Sequence, residues 1–118
     1  MEAAGIQLNT TRLIIKTRNS KLWKNEENCF CEDFVAISPD GAEWIVAYGI
    51  QLIGVDYLSV VPYKDSTIIH QILLKAGVVI LEGVNLNGIG EGFYDLYCLP
   101  LNLVGSDGAP ARVVLIER

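Results

Sequence analysis

The chain holds a single histidine, His70, among its 118 residues, so any metal-assisted or acid–base chemistry must be organised around that one imidazole. A catalytic zinc ordinarily takes three protein ligands drawn from His, Asp, Glu and Cys. His70 falls near the centre of a helical pattern, and Glu82 ends the apolar run that follows the Gly77 turn. A helix and the strand after it run back alongside each other, so both residues can face one cleft. There they could share a metal or exchange a proton. The competing reading is bland: a lone helical histidine is more often an ordinary surface or core residue, and a glutamate at a strand end is usually just solvated.

Other candidates carry less. Cys29 and Cys31 are one residue apart, too close for an easy mutual disulfide, and Cys98 leaves an odd count. A Cys-x-Cys pair can supply two metal ligands, but no second Cys/His pair accompanies it, and a structural role as small hydrophobes is expected. Asp56 and Ser59 follow an apolar strand at the end where α/β folds place ligands, although turn hydrogen bonds are the favoured explanation. Gly88 to Gly92 is glycine-dense without phosphate-binding spacing, and no helix follows it. It reads as a loop.

The elements that would position these residues follow from pattern. Arg12–Thr17 reads as a buried strand, and residues 18–34 as a polar, irregular, mobile loop. Ser38 as N-cap and Pro39 at the first helical position open a helix that stops near Gly49. Gln51–Val55 is a strand. Asp65 or Ser66 caps a second helix that ends at Gly77, with Ile68, Ile69, Ile72, Leu73 and Ala76 on one face and His70 on the flank. Val78–Glu82, Phe93–Leu103 (interrupted at Pro100) and Ala111–Glu117 complete the strands. This order predicts a mixed α/β fold with residues 1–118 forming one domain. The first and last strands are apolar throughout, so each should be covered on two faces, more than two helices can provide. Further chain or a partner subunit is expected to cover the rest.

Composition narrows the function. Half of the chain (51%) is hydrophobic and 19% is charged, which is globular. A net charge of -5 with no Lys/Arg cluster argues against nucleic acid. No apolar run approaches a membrane span, and the first residues lack the layout of a signal peptide. A soluble, cytoplasmic protein is expected.

Seven stretches, in order, resemble the metal-dependent cyclase and kynurenine formamidase family, arylformamidase-like hydrolases that include the isatin hydrolases. They are Arg12–Thr17, Ser38–Trp44, Ile53–Val60, Ile69–Gly77, Leu81–Leu86, Leu99–Leu101 and Gly105–Arg112. The resemblance implies a swivelling β/β/α domain, a mixed sheet with two main helices, and hydrolysis of amide bonds in formamides or cyclic amides. It implies a zinc or manganese cofactor, a small-molecule amide or formamide substrate and a place in tryptophan catabolism, while the uncovered apolar strand faces point to a homo-oligomer. It also maps His70 and Glu82 onto the metal or catalytic centre. The family signature His-x-Gly-Thr-His-x-Asp-x-Pro-x-His does not occur in this chain. The chain is therefore expected to correspond to the C-terminal half of such a hydrolase, incomplete relative to the family. Two functions follow: part of a hydrolase in which His70 and Glu82 ligate metal or move protons, or a non-catalytic remnant that binds a small molecule or mediates oligomerisation. The second is favoured for these residues by themselves.

Overall fold

The computed structural model describes residues 4–24, 29–64 and 67–118. They fall into two compact units, Met1–Asn87 and Gly88–Arg118.

The first unit is built on three parallel strands in the order β1 (Arg12–Ile15), β2 (Leu52–Val55), β3 (Val79–Leu81). Leu13 pairs with Ile53, and Ile53 in turn with Ile80. Parallel neighbours need crossovers. Helix α1 (Pro39–Tyr48) lies between β1 and β2 in the chain, and α2 (Ile68–Lys75) lies between β2 and β3. The central strand is buried at all four positions, whereas Arg12 of β1 is exposed and the other three residues of β1 are half-buried. Full burial therefore belongs to β2, which has a hydrogen-bonded neighbour on each side, and not to the first strand.

Helix α1 starts and stops where its residue types require. Ser38 is extended (φ -85°, ψ 161°), and its hydroxyl accepts the Gly41 amide at 3.3 Å. Pro39, with no amide hydrogen to satisfy, opens the helix. At the other end Gly49 takes φ 87°, a left-handed conformation that side chains resist. Helix α2 ends at Lys75 ahead of Gly77, which is also left-handed (φ 73°). The proposed caps Asp65 and Ser66 lie outside the described residues. The buried stripe of α2 is narrower than its pattern suggested. Ile69 and Leu73 are buried and Ile72 partly so, but Ile68 is 42% exposed and Ala76 faces solvent. Ile68 sits about 100° around the helix from Ile69, and that rotation takes it off the core side.

Ile45 from α1, Ile53 from β2 and Ile69 and Leu73 from α2 are all but inaccessible to water and meet in one cluster. Each such side chain contributes roughly 1.5–3 kcal/mol of burial energy. β2 packs closely against β1: a methyl added at Gly54 would lie 3.1 Å from Cγ1 of Ile14.

The described part of the 18–34 stretch is less irregular than expected. Arg18–Lys24 form a short 3-10 helix, and its Asn19 and Ser20 are buried. The cause is long-range, since both residues bond to parts of the chain at least 16 positions away.

The second unit is an antiparallel ribbon of β4 (Tyr94–Pro100) and β5 (Ala111–Glu117), with Leu96 opposite Leu115 and Tyr97 opposite Val114. Pro100 sits at the end of β4, opposite Ala111. Parallel and antiparallel pairing thus occupy separate sheets. On one face of the ribbon Leu96, Val113 and Leu115 are half-buried; on the other, Tyr97 (51%), Leu99 (62%) and Ile116 (51%) are open to solvent, with Val114 at 38%. The last strand is therefore covered on at most one face.

Candidate active site

His70 is the third residue of α2, and Glu82 follows β3 directly. Gly77 reverses the chain between them, with the Val78 amide donating to the Leu73 carbonyl at 3.0 Å. The reversal returns β3 beside α2, and Glu82 Oε1 comes to 3.2 Å from His70 Nε2. The same oxygen accepts the backbone amide of Val60 at 2.8 Å, which fixes the carboxylate from the β2 side. Each side chain of the pair is about one-third exposed (34% and 33%), so both remain within reach of a ligand. Nε2 is the ring nitrogen that faces the carboxylate, so the two groups can share a proton or act as donors to one ion.

His70 also lines a cleft of about 290 Å³ together with Phe30, Phe34, Leu58, Ser59 and Tyr63. This volume is at the lower end for small-molecule sites and suits a single ring with a short substituent. The aromatic side chains form a connected wall. Phe30 lies 5.1 Å from Tyr63 and 6.2 Å from Phe34, and Phe34 lies 5.1 Å from Tyr57. Tyr57 is buried, contacts Trp23 edge-on at 6.1 Å, and accepts the Cys31 amide on its hydroxyl at 3.0 Å.

Asp56 and Ser59, the two polar residues after β2, differ in what they hold. Ser59 Oγ accepts the Val61 amide at 3.1 Å, a local turn bond of the expected kind. Asp56 is completely buried and reaches across the fold. Its Oδ2 accepts the Thr17 amide (2.6 Å), the Ser20 amide (3.0 Å) and the Ser20 hydroxyl (2.7 Å). Its Oδ1 accepts the Thr17 hydroxyl at 2.9 Å, and its carbonyl takes the Trp23 indole at 2.8 Å. Asp56 therefore holds a distant segment, not a turn.

The sequence pointed to His70 and Glu82, and the fold brings them together. Phe30, Phe34, Leu58 and Tyr63 were not foreseen; two phenylalanines four apart in an otherwise polar segment were the available signal. The cysteines carry no paired role, being free, with Cys29 exposed and Cys31 and Cys98 half-buried. As a metal centre, the His70–Glu82 pair offers two donors of the right chemistry. No group of three or more His, Cys, Asp or Glu side chains that could hold a metal ion occurs among the described residues. The donor set therefore fits part of a zinc or manganese site and stops short of a complete one.

Comparison with known proteins gives a consistent outcome. Cyclase-like protein 1 of Arabidopsis thaliana is 39% identical over 122 residues, which cover 99% of this chain and 47% of that protein. Cyclase-like protein 2 of Oryza sativa subsp. japonica is 38% identical, covering 99% and 44%. The kynurenine formamidase of Geobacillus thermodenitrificans is 40% identical over 106 residues, covering 89% of this chain and 49% of the enzyme. A solved structure from Bacillus stearothermophilus, described as a predicted metal-dependent hydrolase, superposes with a TM-score of 0.86 at 34% identity, covering all of this chain and 55% of its own. No protein-family model matches the chain. The chain spans about half the length of the curated relatives it matches.

Proposed function

We propose, from the premise that this chain belongs over its whole length to the family of cyclase-like proteins and kynurenine formamidases, that it forms part of a metal-dependent hydrolase of carbon–nitrogen bonds in formamides or cyclic amides. The observation that carries this reading is the His70–Glu82 pair, 3.2 Å apart, with His70 on the wall of an aromatic cleft.

In this reading His70 and Glu82 hold one side of a zinc or manganese ion. The metal, when bound, supplies Lewis acidity toward an amide carbonyl. The remaining ligands come from outside the described residues. The chain's own groups do the rest. The aromatic wall takes the flat part of the substrate and keeps water from it. The Val60 amide holds Glu82 in place beside His70 Nε2, so that the carboxylate and that ring nitrogen face one point. A cytoplasmic setting suits three unpaired cysteines.

The absence of a third ligand among the described residues favours a second reading, a binding or oligomerisation module that holds a small carbonyl compound without turning it over. Zinc and manganese titrations by calorimetry, run beside hydrolysis of formanilide, separate the two. The hydrolase reading expects metal binding that is lost in His70→Ala and Glu82→Ala. Metal binding indifferent to both substitutions would overturn it.

A further inference from the structure

We infer that Asp56 is the positioning residue for the aromatic wall of the cleft beside His70, acting through Thr17 and Asn19; the inference rests on reading that cleft as the substrate site.

The geometry forms a series. Asp56 Oδ1 accepts the Thr17 hydroxyl at 2.9 Å, and the oxygen of that hydroxyl accepts the Asn19 amide at 3.0 Å. The Asn19 side chain then grips Val35 from both sides, donating to its carbonyl and accepting its amide, each at 2.8 Å. Val35 directly follows Phe34 in the chain, and Phe34 packs on Phe30 and Tyr57. Asn19 is 1% exposed and Asp56 0%, so water cannot easily stand in for these partners.

A buried carboxylate is an expensive way to close a turn. Both oxygens of Asp56 act as acceptors toward four donors on a segment 36 to 39 positions away. Neighbouring bonds reinforce the same end of β2: Trp23 donates to the Asp56 carbonyl, and Cys31 donates to the hydroxyl of Tyr57. The short 3-10 helix at Arg18–Lys24 and the irregular stretch Phe30–Val35 are thereby held against one strand end. Without this clasp, nothing covalent or sheet-like would fix Phe30 and Phe34, and apolar rings on a loose loop would close the cleft or leave it. The arrangement is that of a supporting shell which fixes the residues that touch the ligand.

The chain contains three phenylalanines, Phe30, Phe34 and Phe93, so labelling with fluorophenylalanine gives three fluorine resonances. Phe93 belongs to the ribbon unit and serves as the internal control. In Thr17→Val, which keeps the shape of the side chain and removes the relay oxygen, the Phe30 and Phe34 resonances should shift or broaden while Phe93 stays in place. Asn19→Ala should do the same more strongly. The double variant should add little to Asn19→Ala, because the two bonds act in series. Affinity for benzamide, a flat aromatic amide, should fall roughly tenfold in the same variants, the equivalent of one lost preorganised aromatic contact. Asp56→Ala should reproduce the effect; if it fails to fold, the other two variants decide. Unchanged Phe30 and Phe34 signals, or signals that move only together with Phe93, would overturn the inference. If the wild-type protein does not bind benzamide, the reading of the cleft as a substrate site fails, while the fluorine spectra still decide the role of Asp56.

Discussion

Glu82 Oε1 stands between His70 Nε2 at 3.2 Å and the Val60 amide at 2.8 Å, so one carboxylate oxygen ties helix α2 to the loop after β2. Val60 is buried, and its amide has no water to turn to when the carboxylate is removed. Glu82→Ala should therefore destabilise the protein by about 1–3 kcal/mol, and Glu82→Gln, which keeps an acceptor, by clearly less. Urea unfolding of the two variants measures the difference; equal losses would show that the Val60 bond contributes little.

Asp40 gives a pH-dependent readout of helix α1. The Ser38 side chain and the Gly41 amide hydrogen-bond its carboxylate and hold its pKa below the usual value. A carboxyl whose folded pKa is depressed contributes stability that is fully present above the unfolded pKa and disappears as pH falls through the lower folded value. The group is fully exposed, so the effect is small. Thermal melts of Asp40→Asn and wild type should converge at about pH 2 and separate by about pH 6, with the wild type more stable.

The legible parts of the fold were those decided locally. Ser38, Pro39 and Gly49 bound α1 because caps act within one turn, and the reversal at Gly77 placed His70 near Glu82 because both flank a single turn. The 3-10 helix at Arg18–Lys24 was not legible, since its determinant, Asp56, lies more than thirty residues away and looks like an ordinary turn residue. The cleft escaped for the same reason: Phe30 and Phe34 reach it from a segment whose polarity suggests a solvated loop. The apolar runs of the first and last strands showed that they want more cover than two helices give, and both are partly open among the described residues, but a run does not say what covers it.

Gly54 faces Ile14 across the β1–β2 pair, and a Cβ there would lie 3.1 Å from Cγ1 of Ile14, a contact tight enough that Ile14 must yield by a few tenths of an ångström. Gly54→Ala should cost about 1–3 kcal/mol by overpacking. In a double-mutant cycle with Ile14→Ala the two losses should be less than additive, since the second substitution removes the atom the first one strikes. Strict additivity would mean that the strands simply move apart.

The three thiols differ in access: Cys29 is exposed, while Cys31 and Cys98 are half-buried. Titration of the native protein with a thiol-specific chromogenic disulfide should show one fast and two slower reactions. Cys29→Ser should remove the fast phase alone, and three equal rates would contradict the burial of the other two.

The ribbon's exposed row of Tyr97, Leu99, Val114 and Ile116 is also suited to unwanted strand addition. A two-stranded ribbon offers open hydrogen-bonding edges along its length, and here an apolar face accompanies them. Leu99→Lys would act as a gatekeeper on that face.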